Sequence, residues 1–312
     1  MNPLLRVAQP GLFTTIQDLG RLNAIAGGVP PGGAMDRFAH RAANALVGND
    51  QHDATLECTI TGPSLVVEQP CLIAITGADL DARINGEPAP AWTGMPLTRG
   101  DRLTFGGRRS GARAYIAVRG GFDGERWLGS RSTSIMAGRG GMGGRALLAG
   151  DVLGAAIEGA GPIVAGRRLH PDLRPDYGVH TLAVLPGPHV RRLGADGRKA
   201  LVSTPFTVSQ DSNRMGYRLD GAAFAMAGEE LLSFGLVAGV VQVPHSGQPI
   251  LLMADHQTAG GYPVVATVIS ASLPQAAQLA PGDEVRFIEV TPARARQRRE
   301  ELSAALSSLA SP

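Results

Sequence analysis

The sequence has little of several things that would announce a function. Its two cysteines, Cys58 and Cys71, are too few for a disulfide framework or a four-cysteine zinc site. Both stand in apolar, strand-like runs, where a buried free thiol is the expected state. A single lysine, Lys199, stands against 28 arginines, which excludes a lysine Schiff base anywhere else. It sits in Gly197-Arg198-Lys199-Ala200 without flanking methionines, so the chain is not itself a biotin carrier. An excess of one charge is also missing. With 29 basic and 27 acidic residues the net charge is +2, and neither nucleic acid nor an anionic membrane is expected as a partner. The longest apolar run, Leu231 to Pro244, is too short and too rich in glycine to span a bilayer. The start, Met1-Asn2-Pro3-Leu4-Leu5-Arg6, has no apolar h-region, so a cytoplasmic protein is expected. The seven histidines show no metal-ligand spacing, and no metal site is expected.

Glycine (42) and proline (22) are abundant and make up about a fifth of the 312 residues, well above average usage. Such punctuation leaves little room for long helices and favours short strands joined by turns. In the first half, residues 64–68, 71–76, 102–105 and 112–118 read as strands. In the second half, 182–185, 206–209, 237–243, 249–253, 264–269 and 284–290 read alike. Asn85-Gly86 predicts a two-residue hairpin. Two helices stand out. One covers about Met35 to Val47, with Asp36 as N-cap and Gly48 as stop; its N-terminus is a place where an anion can sit. The other starts at Thr291-Pro292 and carries a Leu302, Leu306, Leu309 stripe. The Gly- and Pro-rich stretch 158–177 reads as a linker. The expectation is a mainly β protein of two small barrels, residues 1–160 and 176–312, with a few short helices and a C-terminal helix.

Several catalytic signatures are absent: a phosphate loop ending in Lys-Ser or Lys-Thr, a His-Glu-x-x-His helix and a Gly-x-Ser-x-Gly elbow. Gly138-Arg139-Gly140-Gly141-Met142-Gly143 matches a dinucleotide fingerprint in letters only. It lacks the strand before and the helix after, and a flexible loop is expected there. Three other segments concentrate polar groups. Pro249 to Ile269 runs an apolar strand into Asp255-His256-Gln257-Thr258 and then glycines. At such a strand end Asp255 can act as a base or orient a neighbour, Gln257 offers both donor and acceptor to an amide, and Tyr262 can cap a pocket. A polar hairpin loop with Asp255 closing an Asx-turn is equally compatible. Residues 210–219 hold Asn213 and Arg214, suited to a carboxylate or phosphate, or else to a turn with a structural ion pair. The third segment, Gly11 to Asp36, is unusually polar at Gln17, Asp18 and Arg21.

Read together, PGLFTTIQDLGR (10–21), GVPPGGAMDRFAHRAANALVGN (28–49), LGSRST (128–133), LPGP (185–188), SNRMGYRLDG (212–221), VQVPHSGQPILLMADHQTAGGYP (241–263) and APGDEVRF (280–287) resemble the biotin-dependent carboxyltransferase family. That family includes the C subunit of 5-oxoprolinase, allophanate hydrolase subunit 2 and the antagonist of a sporulation kinase inhibitor. The stretches follow the family's order along nearly the whole chain. The resemblance implies a cyclophilin-like β-barrel architecture and work in a complex. Its first implication is the C subunit of an ATP-dependent 5-oxoprolinase. It would act on a small amide substrate with the enzyme's A and B subunits, the latter allophanate hydrolase subunit 1-like. The alternatives are the carboxyltransferase component of a urea or amide carboxylase, with biotin on a partner, or a regulatory module binding a kinase inhibitor. A planar amide substrate calls for paired donors and acceptors and an anion holder, so Asp255, Gln257 and Arg214 are the expected catalytic residues, with Asn213, Tyr262, Gln242, Gln248, Arg21 and Gln17 as expected substrate contacts. The chain departs from the family's usual residues at Phe234, His256, Ser272 and Met136.

Overall fold

Apolar residues alternating over short runs, each stopped by a turn former, produce strands nearly where the sequence predicts them. The computed structural model describes residues 3–157 and 165–309. The chain divides into two compact units. One comprises Met1–Arg21, Gly32–Pro175 and Ser303–Pro312, the other Leu22–Pro31 and Asp176–Leu302. The expected linker lies partly on residues 158–164, outside the described residues; beyond them Pro171–Leu173 forms a 3-10 turn.

The first unit holds β1 (Leu5–Gln9), β2 (Phe13–Gln17), α1 (Arg37–Val47), β3 (Thr55–Thr59), β4 (Ser64–Val67), β5 (Cys71–Asp79), β6 (Ala82–Ile84), β7 (Glu87–Pro88), β8 (Gly94–Leu97), β9 (Arg102–Phe105), β10 (Ser110–Val118) and β11 (Val152–Leu153). They form two antiparallel sheets, ordered β11-β1-β4-β9-β6-β7 and β2-β3-β10-β5-β8. Leu5, Val7, Leu65 and Leu103 of the first sheet and Ile16, Leu56, Ile73 and Ile116 of the second share one core. Among the described residues this unit is therefore a pair of sheets, and the closed barrel belongs to the second unit. Asn85 (φ 53°) and Gly86 (φ 93°) are both left-handed, which makes the predicted β6–β7 hairpin the primed type that matches strand twist. Helix α1 starts as predicted, with the Asp36 carboxylate accepting from the Ala39 N–H at 2.9 Å, and ends on Gly48 in the left-handed conformation. Its face of Phe38, Ala39, Ala42, Ala43 and Leu46 is buried, and it packs on β5 and β10.

The second unit holds β12 (Thr181–Pro186), α2 (Gly194–Ser203), β13 (Phe206–Val208), β14 (Gly216–Asp220), β15 (Phe234–Gly235), β16 (Val240–Gln242), β17 (Ile250–Leu252), β18 (Ala259–Gly260), β19 (Val264–Val268), α3 (Leu273–Ala277) and β20 (Glu284–Glu289). Seven of these strands close a barrel in the order β12-β19-β16-β17-β14-β13-β20. Its seam, β12 against β20, is parallel, while the other barrel pairings are antiparallel. Strands β15 and β18 form a separate small ribbon, pairing Phe234 with Gly260. Helix α4 (Pro292–Ser307) follows. The Thr291 hydroxyl accepts from the Arg294 N–H at 3.2 Å, as expected of its N-cap. Its stripe differs from expectation: Ala305 and Leu309 are the buried positions, while Leu302 and Leu306 are half-buried. No described helix is long and apolar enough to cross a membrane.

Candidate functional site

In the second unit, the turn between β17 and β18 carries the segment singled out by its polarity. Asp255 and Arg214 meet there. The guanidinium Nε and Nη2 donate to Oδ2 and Oδ1 of Asp255 at 2.9 and 3.1 Å, and the Asp255 N–H donates to the Arg214 carbonyl at 2.9 Å. The side chains are only 11% and 24% exposed, for Arg214 and Asp255 respectively. A bidentate pair of this kind fixes orientation as well as charge. It commits two of the guanidinium nitrogens and both carboxylate oxygens to each other, so these two residues hold the turn's shape. Asn213 has a local role: its Oδ1 accepts from the Met215 N–H at 2.8 Å, the geometry of an Asx-turn.

Gln257 points elsewhere on the same turn. Its Nε2 donates to Gln242 Oε1 at 3.4 Å, and Gln242, buried in β16, donates to the Tyr262 carbonyl at 3.3 Å. Gln257 is half-buried, and its Oε1 takes no hydrogen bond from the described residues. A carboxamide with an open acceptor, braced by a second carboxamide, suits a ligand that offers amide N–H groups. Gly260 makes room for it. A Cβ there would lie 3.1 Å from Leu236 Cδ1, 3.5 Å from Gln257 Nε2 and 3.7 Å from Gln242 Nε2. The Tyr262 ring is 42% exposed and meets His245 edge-on at 6.3 Å. Gln248 donates to the Gly221 carbonyl at 3.4 Å, next to β14. His189 accepts from the Val264 N–H at Nδ1 (3.1 Å) and stands 5.3 Å from the Phe234 ring. Burial, then the charge of Arg192, holds its pKa below the ordinary value, and acceptance at Nδ1 leaves Nε2 as the ring's donor position. His256 is buried, with Nδ1 at 2.7 Å from the Gln257 carbonyl. Ser272, also buried, accepts from the Ala183 N–H at 3.3 Å.

Gln17 and Arg21 belong to the first unit and gather around Asp18. Both carboxylate oxygens of Asp18 accept hydrogen bonds. Oδ1 accepts from the Ser130 and Ser132 hydroxyls, each at 2.6 Å, and from the Gly20 N–H at 2.8 Å; Oδ2 accepts from the Arg131 N–H at 2.6 Å. Burial pushes this carboxyl up, but the four donors outweigh it and the pKa lies below the usual carboxylate range. Arg21 is buried, donates to the Ser132 carbonyl, and lies 4.8 Å from the Trp127 ring centre. Gln17 is buried too. Its Nε2 donates to the Thr15 hydroxyl at 3.0 Å, while its Oε1 has no partner among the described residues. The glycine-rich loop 138–144 is tied by several contacts. The Gly140 N–H and the Arg139 guanidinium both bind the Glu125 carboxylate, at 3.0 and 2.7 Å. Gly144 donates to the Gly140 carbonyl at 2.7 Å. Met136, on the same excursion, is 78% exposed.

One buried network was invisible in the sequence. The Tyr115 hydroxyl donates to Glu57 at 2.7 Å and accepts from the Asp36 N–H at 2.8 Å; the Met35 N–H also donates to Glu57, at 2.8 Å. Burial, then the charges of Glu57 and Asp36, pushes the phenol well above its usual pKa. Glu57 and Tyr115 sit inside apolar strands, so nothing in their spacing marks them. Among the described residues no group of His, Cys, Asp and Glu is arranged to hold a metal.

Residues 27–289 match the family described as carboxyltransferase domain, subdomain A and B. The chain belongs to this family. It is 38% identical to the C subunit of 5-oxoprolinase from Escherichia coli, over 96% of this chain and 95% of that protein. It is 34% identical to the same-named protein of Haemophilus influenzae, over 89% and 88%. Family members also occur inside larger proteins. The crystal structure of the K. lactis urea amidolyase superposes with a TM-score of 0.92 at 29% identity, over 99% of this chain and 20% of that one. The chain thus spans about a fifth of the length of the urea amidolyases it matches. The superposition over nearly the whole chain shows that this mainly β fold is shared with the matching segment of the urea amidolyase.

Proposed function

We propose that this chain is the C subunit of an ATP-dependent 5-oxoprolinase, working in the cytoplasm with the A and B subunits of that enzyme to open 5-oxoproline to glutamate. The observation that carries the reading is reciprocal coverage. The similarity to the E. coli protein takes in 96% of this chain and 95% of that protein, so the two are matched over nearly all of both lengths. The site chemistry agrees. The lactam of 5-oxoproline is a planar amide with one N–H, which suits the open Gln257 acceptor braced by Gln242. In this reading Gln257 grips the lactam and Asp255 and Arg214 hold its turn in place. ATP is assigned to the assembled complex, since the chain lacks a Lys-Ser or Lys-Thr phosphate loop.

The deciding experiment is glutamate release from 5-oxoproline by the purified complex, with and without ATP and with this chain omitted. ATP-dependent glutamate that needs this chain is the expected result; a well-formed complex that releases none overturns the reading. The second reading, a carboxyltransferase component of a urea or amide carboxylase, is favoured by the TM-score of 0.92 to the K. lactis urea amidolyase. It requires biotin on a partner, because Lys199 lacks the flanking methionines of a carrier, and it predicts bicarbonate-dependent ATP turnover with urea.

A further inference from the structure

Helix α1 carries two arginines, Arg37 and Arg41, four residues apart and so one turn above each other on the same face, with Cβ atoms about 5–6 Å apart. Both are half-buried. Neither forms an ion pair among the described residues. Arg37 donates from Nη2 to the Leu19 carbonyl at 3.2 Å, a neutral acceptor. Arg41 makes no hydrogen bond among the described residues, and its Nε is buried with no acceptor. The nearby carboxylate, Asp18, is engaged by Ser130, Ser132 and two backbone N–H groups and forms no ion pair with either arginine. The loop beneath is rigidly seated: the Ala34 N–H donates to the Asp18 carbonyl at 2.8 Å, and Gly33 packs so tightly on Leu19 and Gly20 that a Cβ would meet the Gly20 nitrogen at 2.8 Å.

Like charges four residues apart on a helix repel, and a guanidinium partly withdrawn from water with no carboxylate in ion-pair contact is costly. Burial and then the charge of Arg41 weaken the hold of Arg37 on its proton, and Asp18 only partly restores it. Guanidinium forks match oxyanions in geometry and charge, and Arg37 sits at the positive end of the helix dipole. We propose that Arg37 and Arg41 form a seat for an oxyanion, the phosphate or carboxylate group of a small ligand. This goes beyond the oxoprolinase reading and does not depend on it.

The test is anion binding by the full-length chain alone, without turnover, so its outcome is separate from that of the glutamate assay. Inorganic phosphate and 5-oxoproline are titrated separately, by calorimetry and by the rise in melting temperature that ligand binding produces. Saturable binding of one or both is expected, weakened at least tenfold in Arg41→Gln and in Arg37→Gln and unchanged in the exposed α4 variant Arg299→Gln. Phosphate as the better ligand identifies a phosphoryl source, 5-oxoproline a substrate carboxylate. Arg41→Gln removes no hydrogen bond of the described structure, so it folds even if Arg37→Gln does not. Without anion it melts no lower than the parent chain, because a like-charge repulsion is gone. Undiminished binding by Arg41→Gln, or no saturable binding of either anion by the parent chain, overturns the proposal.

Discussion

Single side chains carry the sharpest tests. Arg214 and Asp255 are held in a bidentate pair with little exposure, so removing either leaves the other charge half-buried and alone. Arg214→Ala and Asp255→Ala are each expected to cost ~1–3 kcal/mol. The double variant should cost clearly less than the sum of the two, as urea unfolding of all four proteins will show. His40 makes a pH prediction. It is buried, with Nδ1 at 2.9 Å from the Thr55 hydroxyl and Nε2 at 3.0 Å from the Gln51 carbonyl. Burial lowers its pKa from 6.5 to about 4. Between those values the unfolded chain takes up a proton that the native state refuses, so stability falls as pH falls through this window. The penalty is absent above pH ~6.5 and reaches ~3 kcal/mol near pH 4. His40→Gln should flatten that part of the pH profile, whatever it does to stability at pH 7.5. An unchanged profile would mean that His40 is protonated in the folded protein.

At the level of elements, backbone conformation decides. Gly33 has φ of 91°, and a Cβ would press on the backbone of Leu19 and Gly20. Gly33→Ala is therefore expected to lower stability by ~2 kcal/mol or more, measurable as a lower urea midpoint. Gly260→Ala differs: its nearest obstacle is the end of the Leu236 side chain, which can yield. Its effect should fall on activity, through Gln257 and Gln242, with a stability loss under ~1 kcal/mol. Elements were legible in the sequence where local chemistry sets them. Asp36 and Gly48 bracket α1, Asn85-Gly86 turns the β6–β7 hairpin, and β9 spans the residues read as 102–105. Helix α2 escaped because Gly194 and Gly197 fall inside it, against their propensity. The polar segments around Asp255 and Gln17 were also legible, since polarity beside an apolar strand is a local signal. What their residues touch was not. That Arg214 grips Asp255, that Gln257 leans on Gln242, and that Asp18 gathers Ser130 and Ser132 are contacts between distant residues. The Arg37–Arg41 pair drew no attention in the sequence, because the lack of an ion pair appears only in three dimensions.

For the molecule as a whole, the two cysteines report on integrity. Cys58 and Cys71 are free and buried. Burial pushes both thiols up, Cys71 to about 12, so neither supplies a thiolate at pH 8. A thiol reagent should leave the native chain unlabelled and modify two groups once urea unfolds it; rapid labelling of the native chain would show that one of these thiols is exposed by ready local opening. The barrel has a consequence of another kind. Its seam joins the first and last strands of one unit: Thr181, Leu182, Ala183 and Val184 lie against Arg286, Phe287, Ile288 and Glu289, and the other edge of β20 pairs with β13. A ribosome delivers β12 more than a hundred residues before β20. Until then six strands form an open sheet with two bare edges, each a template for pairing with a neighbouring chain. Synthesis must therefore reach β20 before the newborn protein can hide its own stickiness, and a chain cut short ahead of Glu284 keeps both edges on offer.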